Sequence, residues 1–259
     1  MTGNRAGKRW LWRAASVLVG AFFVYLWQKL ADAHLVSPVF LPGPDRAWTA
    51  LQRGFATGAL QAKLLGTVGR MVFGWLLASL AGVALGALIS LFPLARRALE
   101  PTLEFLRPLP ASAVIPFAIA LFGLSNGMVV GVIAFGALWP MLLATVHGFG
   151  AVDPRLYEVS RALGMSRLAV VAKIALPSSM ADILAGMRLG LTVALILAVV
   201  GEMLTGRDGL GNWILLAARS FRSPDLFAGV ILLGLLGYVS AQALSALENR
   251  ALRWRAAAR

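Results

Sequence analysis

The side chains that perform chemistry are few in this chain and far apart. Gly123-Leu124-Ser125-Asn126-Gly127 matches the G-x-S-x-G turn that exposes a nucleophilic serine. Such a serine needs a basic partner, and the only histidines are His34 and His147. His147 lies about 33 Å from Ser125 along a helix, at the opposite face of a membrane, so only His34 is left to reach it. A plain turn serine is the simpler reading. With no cysteine, the chain has no disulfide, thiol nucleophile or Cys-ligated metal. Gly7-Lys8 is followed by Arg9 where a phosphate-binding loop needs Ser or Thr. Gly209-Leu210-Gly211 lacks the third glycine of a dinucleotide fingerprint and reads as a turn. Glu202 and Arg188 stand inside an apolar run, where ionisable residues are functional candidates by default. Both lie near its ends and can snorkel to water. No acid falls at mid-membrane depth, which counts against a proton-coupled secondary transporter.

The elements that must hold these residues are membrane helices. Of the 259 residues, 59% are hydrophobic and 14% charged, too few polar side chains to wet the surface of a globule. Six stretches are long and apolar enough to cross a bilayer: Leu11–Trp27, Met71–Phe92, Leu109–Leu124, Met128–Phe149, Ile183–Leu204 and Leu226–Leu247. The net charge of +13 fits loops held on the cytoplasmic side rather than a nucleic-acid surface. With the N-terminus inside, fifteen of the 24 Lys+Arg fall inside and eight outside, so both termini are expected in the cytoplasm of a multi-pass inner-membrane protein. The first span reads as an uncleaved signal anchor, despite a small-x-small site at Ala31-Asp32-Ala33. In the outer loop that follows, Asp45 is expected to cap a surface helix through Trp48, Leu51 and Phe55.

Small residues mark where these helices approach one another. Gly74, Ala78, Gly82 and Gly86 line one face of the second span, with Gly127 and Gly131 on the fourth and Gly186 and Gly190 on the fifth. The third span is short and holds Pro110 and Pro116, so it is either kinked or an interrupted helix of the kind that lines transporter pathways. Position on the third to fifth spans nominates Pro116, Asn126, Thr192 and Glu202 as residues of a translocation pathway.

Between the fourth and fifth spans, residues 151–182 form a charged and strongly patterned loop. Asp153-Pro154 is a helix start, and Gly164 is placed to end that helix in a left-handed turn. Ser166 can cap a second helix, Arg167 to Ala175, which is expected to stop at Pro177. Leu156, Val159, Leu163, Leu168 and Val171 supply an apolar stripe beside Arg155, Arg161 and Arg167.

Glu158-Val159-Ser160, Gly164, Ile174 and Leu176-Pro177 resemble the EAA loop of ABC importer permeases, E-A-A-x3-G-x9-I-x-L-P, with agreement of spacing throughout. Val159 and Ser160 stand where the pattern has two alanines. Gly186-Met187-Arg188-Leu189-Gly190, Gly201-Glu202-Met203, Gly209-Leu210-Gly211, the Leu41-Pro42-x-Pro44 turn and the tail with Glu248, Arg250 and Trp254 look like the nitrate, sulfonate and taurine group of that family. The likeness covers roughly residues 38–255. It implies an all-α integral membrane fold with six transmembrane helices, of the type I ABC importer permease kind. It divides the chain into residues 1–65 (N-terminal tail, first span, outer loop), a permease core 66–248 and a basic tail 249–259. The resemblance further implies a non-catalytic subunit that dimerises with a second copy, receives solute from an external binding protein and engages two cytoplasmic ATPase subunits, which carry the ATP and Mg. No cofactor is expected on this chain itself. In this reading Glu158, Val159, Ser160, Arg161, Ala162, Leu163, Gly164, Met165 and Ser166, with Ile174, Leu176 and Pro177, make the ATPase-coupling element. The solute implied is small and anionic, a sulfonate, taurine or nitrate, with bicarbonate or a pyrimidine precursor as further choices. The other function classes are a secondary transporter independent of ATP and an intramembrane serine protease using Ser125.

Overall fold

A computed structural model describes residues 3–252, with side chains from Trp12 onward except Arg13; of the expected basic tail 249–259, Trp254 and the other residues from 253 on lie outside the described residues. The described residues are helical: α1 (Gly3–Asp32), α2 (Pro44–Ala56), α3 (Ala59–Leu91), α4 (Pro93–Leu106), α5 (Ala111–Phe122), α6 (Asn126–Gly150), α7 (Pro154–Ala162), α8 (Arg167–Val170), α9 (Leu176–Thr205), α10 (Leu210–Arg219) and α11 (Ser223–Ala251). They fall into two compact units. One holds the chain up to Gln61 with Trp213–Leu232, and the other holds Ala62–Asn212 with the chain from Leu233 on.

Five helices are long and apolar enough to cross a membrane, and a sixth crossing exists only if α4 and α5 are counted as one broken span. The expected third span is thus the interrupted kind rather than a simple kink, its helix confined to Ala111–Phe122. α5 has 12 residues, about 18 Å, and meets α4 at 96°. Pro108 and Pro110 make the corner, because neither has an N–H to continue a helix. Pro116 sits inside α5 without ending it. α3 begins at Ala59, twelve residues before the expected start of the second span at Met71, and carries Lys63, Thr67 and Arg70 in its added turns. Two helices, α4 and α10, were not anticipated; the second occupies what reads as an outer loop. Asp45 is not the cap of α2. Gly43 holds that position in extended conformation and Pro44 opens the helix, leaving Asp45 in the first turn.

In the second unit, α6 is gripped by α3 and α9. Ala78, Ile133, Ala137, Met141, Leu191 and Ala194 lie at the centre of the shared core. The glycines make the approach possible. A Cβ on Gly82 would stand 3.0 Å from the Leu138 carbonyl oxygen, and one on Gly186 would stand 2.4 Å from the Ala144 Cβ and 2.8 Å from the Pro140 carbonyl oxygen. Gly74 and Gly86 on α3, and Gly190 and Gly201 on α9, meet α6 in the same way. Gly127 and Gly131 do not serve this packing: a Cβ at Gly131 would meet nothing within 4 Å. Trp75 of α3 donates its Nε1–H to the Met187 carbonyl of α9 at 2.9 Å, joining the two helices that flank α6. Arg188 of α9 pairs with Glu248 at the far end of α11 while its side chain stays half-exposed, as snorkelling requires.

Gly186→Val is expected to destabilise the detergent-solubilised protein by about 1–3 kcal/mol, because rigid backbone leaves no room for the added carbons. Gly131→Ala should leave the thermal midpoint unchanged. Equal loss in both variants would refute this packing scheme.

Candidate functional site

The loop between α6 and α8 is built by local hydrogen bonding. Asp153 caps α7 by accepting the Arg155 N–H at 2.9 Å, with Pro154 as first helical residue. The helix ends in a Schellman turn: the Met165 N–H donates to the Ser160 carbonyl at 3.0 Å and the Gly164 N–H to the Arg161 carbonyl at 3.0 Å. Gly164 has φ of +61° and a Cβ there would meet nothing within 4 Å, so the constraint is conformational and the space outside it is open. The Ser166 Oγ then caps α8, accepting the Ala169 N–H at 3.3 Å.

α8 does not stop at Pro177 as expected. One π turn, Val171–Ala175, follows it, and the Leu176 N–H donates to the Val171 carbonyl. The wider turn absorbs the donor that Pro177 lacks, and α9 runs on through it. Arg167–Thr205 is thereby one continuous helix of 39 residues.

The two faces of the loop differ sharply. Ser160 is 2% exposed, and its hydroxyl donates to the Tyr157 carbonyl at 2.8 Å. The Tyr157 hydroxyl donates to the Phe149 carbonyl at 3.0 Å, tying α7 to the end of α6. Burial raises the Tyr157 pKa, so this hydroxyl keeps its proton, and its bond, through the neutral range. A cleft of about 550 Å³ lies behind this face, lined by Ser90, Phe149, Tyr157, Ser160, Arg161 and Met165 among others. On the other face Leu163 is 72% and Leu168 82% exposed, with Leu156 and Val159 also open to solvent. Glu158, Arg161 and Ala162 are exposed beside them. Val171 does not belong to this stripe; it packs inward with Phe149, Ala175 and Ile183. Ile174, Leu176 and Pro177 are half-buried at the junction with α9.

Of the four residues nominated for a pathway, three are exposed and one is buried. Pro116, Asn126 and Thr192 are exposed. Ser125 is the cap of α6, its Oγ accepting the Met128 N–H at 3.0 Å. Glu202 departs most from expectation. It does not snorkel and lines no opening: it is 0% exposed. Its carboxylate accepts from Arg70 Nε at 3.1 Å and Nη2 at 2.7 Å, Thr67 Oγ1 at 3.0 Å and the Gly211 N–H at 2.9 Å. Thr67 Oγ1 in turn accepts the Leu210 N–H at 2.9 Å, while Arg70 donates to the Asp208 carbonyl and Lys63 pairs with Asp208. A Cβ on Gly209 would stand 2.2 Å from the Glu202 carboxyl carbon, and one on Gly211 2.3 Å from the Val199 carbonyl oxygen. Gly209-Leu210-Gly211 is therefore the turn that closes over a buried ion pair. The sequence offered only half of the signal: Glu202 is an anion inside an apolar run, too costly to bury alone, whereas Arg70 stands just before the expected second span and nothing local pairs the two.

A family model described as "Binding-protein-dependent transport system inner membrane component" matches residues 74–253. The chain belongs to this family. Among relatives of this permease, a protein of Bacillus subtilis (strain 168) named as an aliphatic sulfonates transport permease is 30% identical, covering 96% of this chain and 90% of the relative. The taurine transport system permease of Escherichia coli (strain K12) is 27% identical, covering 95% of this chain and 93% of its own. The nitrate import permease of Leptolyngbya laminosa is 30% identical, with 84% and 80% covered. A solved methionine ABC transporter in an inward-facing conformation shares the fold with a TM-score of 0.67 at 18% identity, covering 76% of this chain and 97% of that one.

Glu202→Ala leaves Arg70, Thr67 and the Gly211 N–H unpartnered and should cost about 3–5 kcal/mol of stability. Thermal melts should show the double variant Arg70→Leu/Glu202→Leu recovering part of that loss. A double variant as unstable as the sum of its singles would contradict the pairing.

Proposed function

We propose that the permease forms the translocation pathway of an ATP-driven importer and couples to ATPase subunits through the loop 153–177, without catalysing a reaction itself. The observation that carries this reading is the exposed apolar face of Leu156, Val159, Leu163 and Leu168 around the open Gly164 turn. Exposed leucines backed by a rigid, hydrogen-bonded frame suit a groove on a partner, with Glu158 and Arg161 at its rim setting register. Met165, Ser166 and Ala162 shape the turn, while Ile174, Leu176 and Pro177 pass its displacement to α9. Each ATPase carries ATP and Mg, and the engaged face lies in the cytoplasm together with both chain termini. Two copies of the chain enclose the pathway, and a binding protein delivers solute at the other membrane face. Rigid-body movement of the two loops toward each other then opens the cavity outward.

The solute class follows from the relatives. The groups named for them, aliphatic sulfonates, taurine and nitrate, share an oxyanion. We infer a small oxyanion-bearing solute, with Pro116, Asn126 and Thr192 exposed on the helices that would face it.

Leu163→Asp tests the coupling face directly, since the side chain contributes little to folding. The variant should keep its thermal midpoint and lose association with the ATPase subunit by about ten-fold or more in co-purification. Undiminished association would sink the assignment. For the solute, the reconstituted transporter with its binding protein should accelerate ATP hydrolysis on adding taurine, an alkanesulfonate or nitrate. Stimulation by a cationic amino acid instead would overturn the oxyanion reading.

A further inference from the structure

In the first unit, a cleft of about 370 Å³ is lined by Arg46, Thr49, Arg53, Arg222, Pro224 and Asp225. Arg46, Thr49 and Arg53 share one face of α2, and the neighbouring face of Ala47, Ala50 and Gly54 is buried. Arg222 pairs with Asp225 at 3.2 Å, which occupies the one carboxylate in the cleft. Neither Arg46 nor Arg53 has an ion-pair partner among the described residues. Three guanidinium groups thus face one shared opening against a single acid.

The cleft is fixed at the level where membrane helices end. α1 ends at Asp32 and α11 begins at Ser223. Trp27 of α1 donates its Nε1–H to the Pro42 carbonyl at 2.9 Å and stacks on Phe227 of α11 at 5.4 Å between centroids. The Ser223 hydroxyl donates to the Val39 carbonyl, holding the loop before α2 against the start of α11. Beside the arginines stands an apolar rim: Phe40 packs edge-on against Phe221 at 6.2 Å, and both rings are exposed, as is Trp48. Phe221 is held at φ of +54°, a conformation bulky residues avoid and keep only where the surroundings enforce it. Leu18, Phe22 and Phe23 of α1 in the same unit are exposed as well. An acidic protein surface would match the arginines and leave the exposed aromatics in water. A molecule with an anionic head and apolar tails matches both.

We propose that this cleft binds the phosphate of an anionic phospholipid. Arg46, Arg53 and Arg222 donate to the phosphate oxygens, with the planar fork of each guanidinium suited to paired bonds. Phe40 and Phe221 lie along the upper acyl chains. This site is independent of the coupling loop and of the transported solute.

The test is native mass spectrometry of the full chain in mild detergent, titrated with phosphatidylglycerol or phosphatidylcholine. Wild type should favour phosphatidylglycerol, and Arg46→Gln/Arg53→Gln should weaken that binding about ten-fold while leaving phosphatidylcholine binding unchanged. Arg46→Lys/Arg53→Lys should retain part of the preference. Arg97→Gln/Arg107→Gln removes the same charge from the neighbourhood of α4 and should change little; an equal loss there would reduce the effect to general electrostatics and overturn the site. Displacement of the lipid by millimolar inorganic phosphate would mark a free-anion site instead. Intact lipid preference in Arg46→Gln/Arg53→Gln, with weakened association of the binding protein, would show a protein-docking surface and refute the proposal.

Discussion

The second unit depends on how closely α3 and α9 come to α6. Lipid tails are as apolar as leucine, so helices in a bilayer gain little from apolar burial alone and must gain from close contact. Here the contact runs through missing side chains. Gly74, Gly82 and Gly86 on one flank, and Gly186, Gly190 and Gly201 on the other, bring backbone against the side chains and carbonyls of α6. α5, too short to cross on its own, contributes Ile115 and Ala118 to the same core. The large side chains, such as Leu80 and Phe117, are left outward where hydrocarbon accepts them.

The denser polar clusters sit where a helix must turn. At one turn, Glu202 gathers Arg70, Thr67 and the Gly211 N–H, so the chain reverses from α9 into α10 with its polar groups satisfied. At another, Tyr157, Ser160 and the Schellman bonds around Gly164 hold α7 and α8 while their leucines stay outside. One turn is sealed and the other is open, which separates a structural role from the docking role proposed for the second.

What the sequence discloses follows from how far apart the interacting residues lie. Asp153-Pro154, Gly164 and Ser166 were legible because helix caps act over two to four positions. The EAA spacing was legible as a family pattern confined to one loop, from Glu158 to Pro177. The ion pair of Arg70 and Glu202 joins residues 132 positions apart, and no local pattern announces it. Gly127 and Gly131 show the opposite case: the spacing is right for close packing, but spacing does not name the partner, and no other helix meets them among the described residues. The third span read as short and broken from its prolines, but apolar composition counts residues and not direction, so the 96° corner at Pro108-Leu109-Pro110 was not legible. Pro177 was taken as a stop because a π turn, which accommodates it, leaves no mark in composition.

That π turn also sets a phase relation. One residue more or less in a helix rotates everything beyond it by about 100°. The Val171–Ala175 insertion therefore decides which way Leu168 and the whole of α7 point once Gly186 and Gly190 are seated against α6. The length of the chain between Ser166 and Gly186 is an angular setting as much as a distance. A single insertion or deletion there would turn the exposed leucines away from the direction in which they now face.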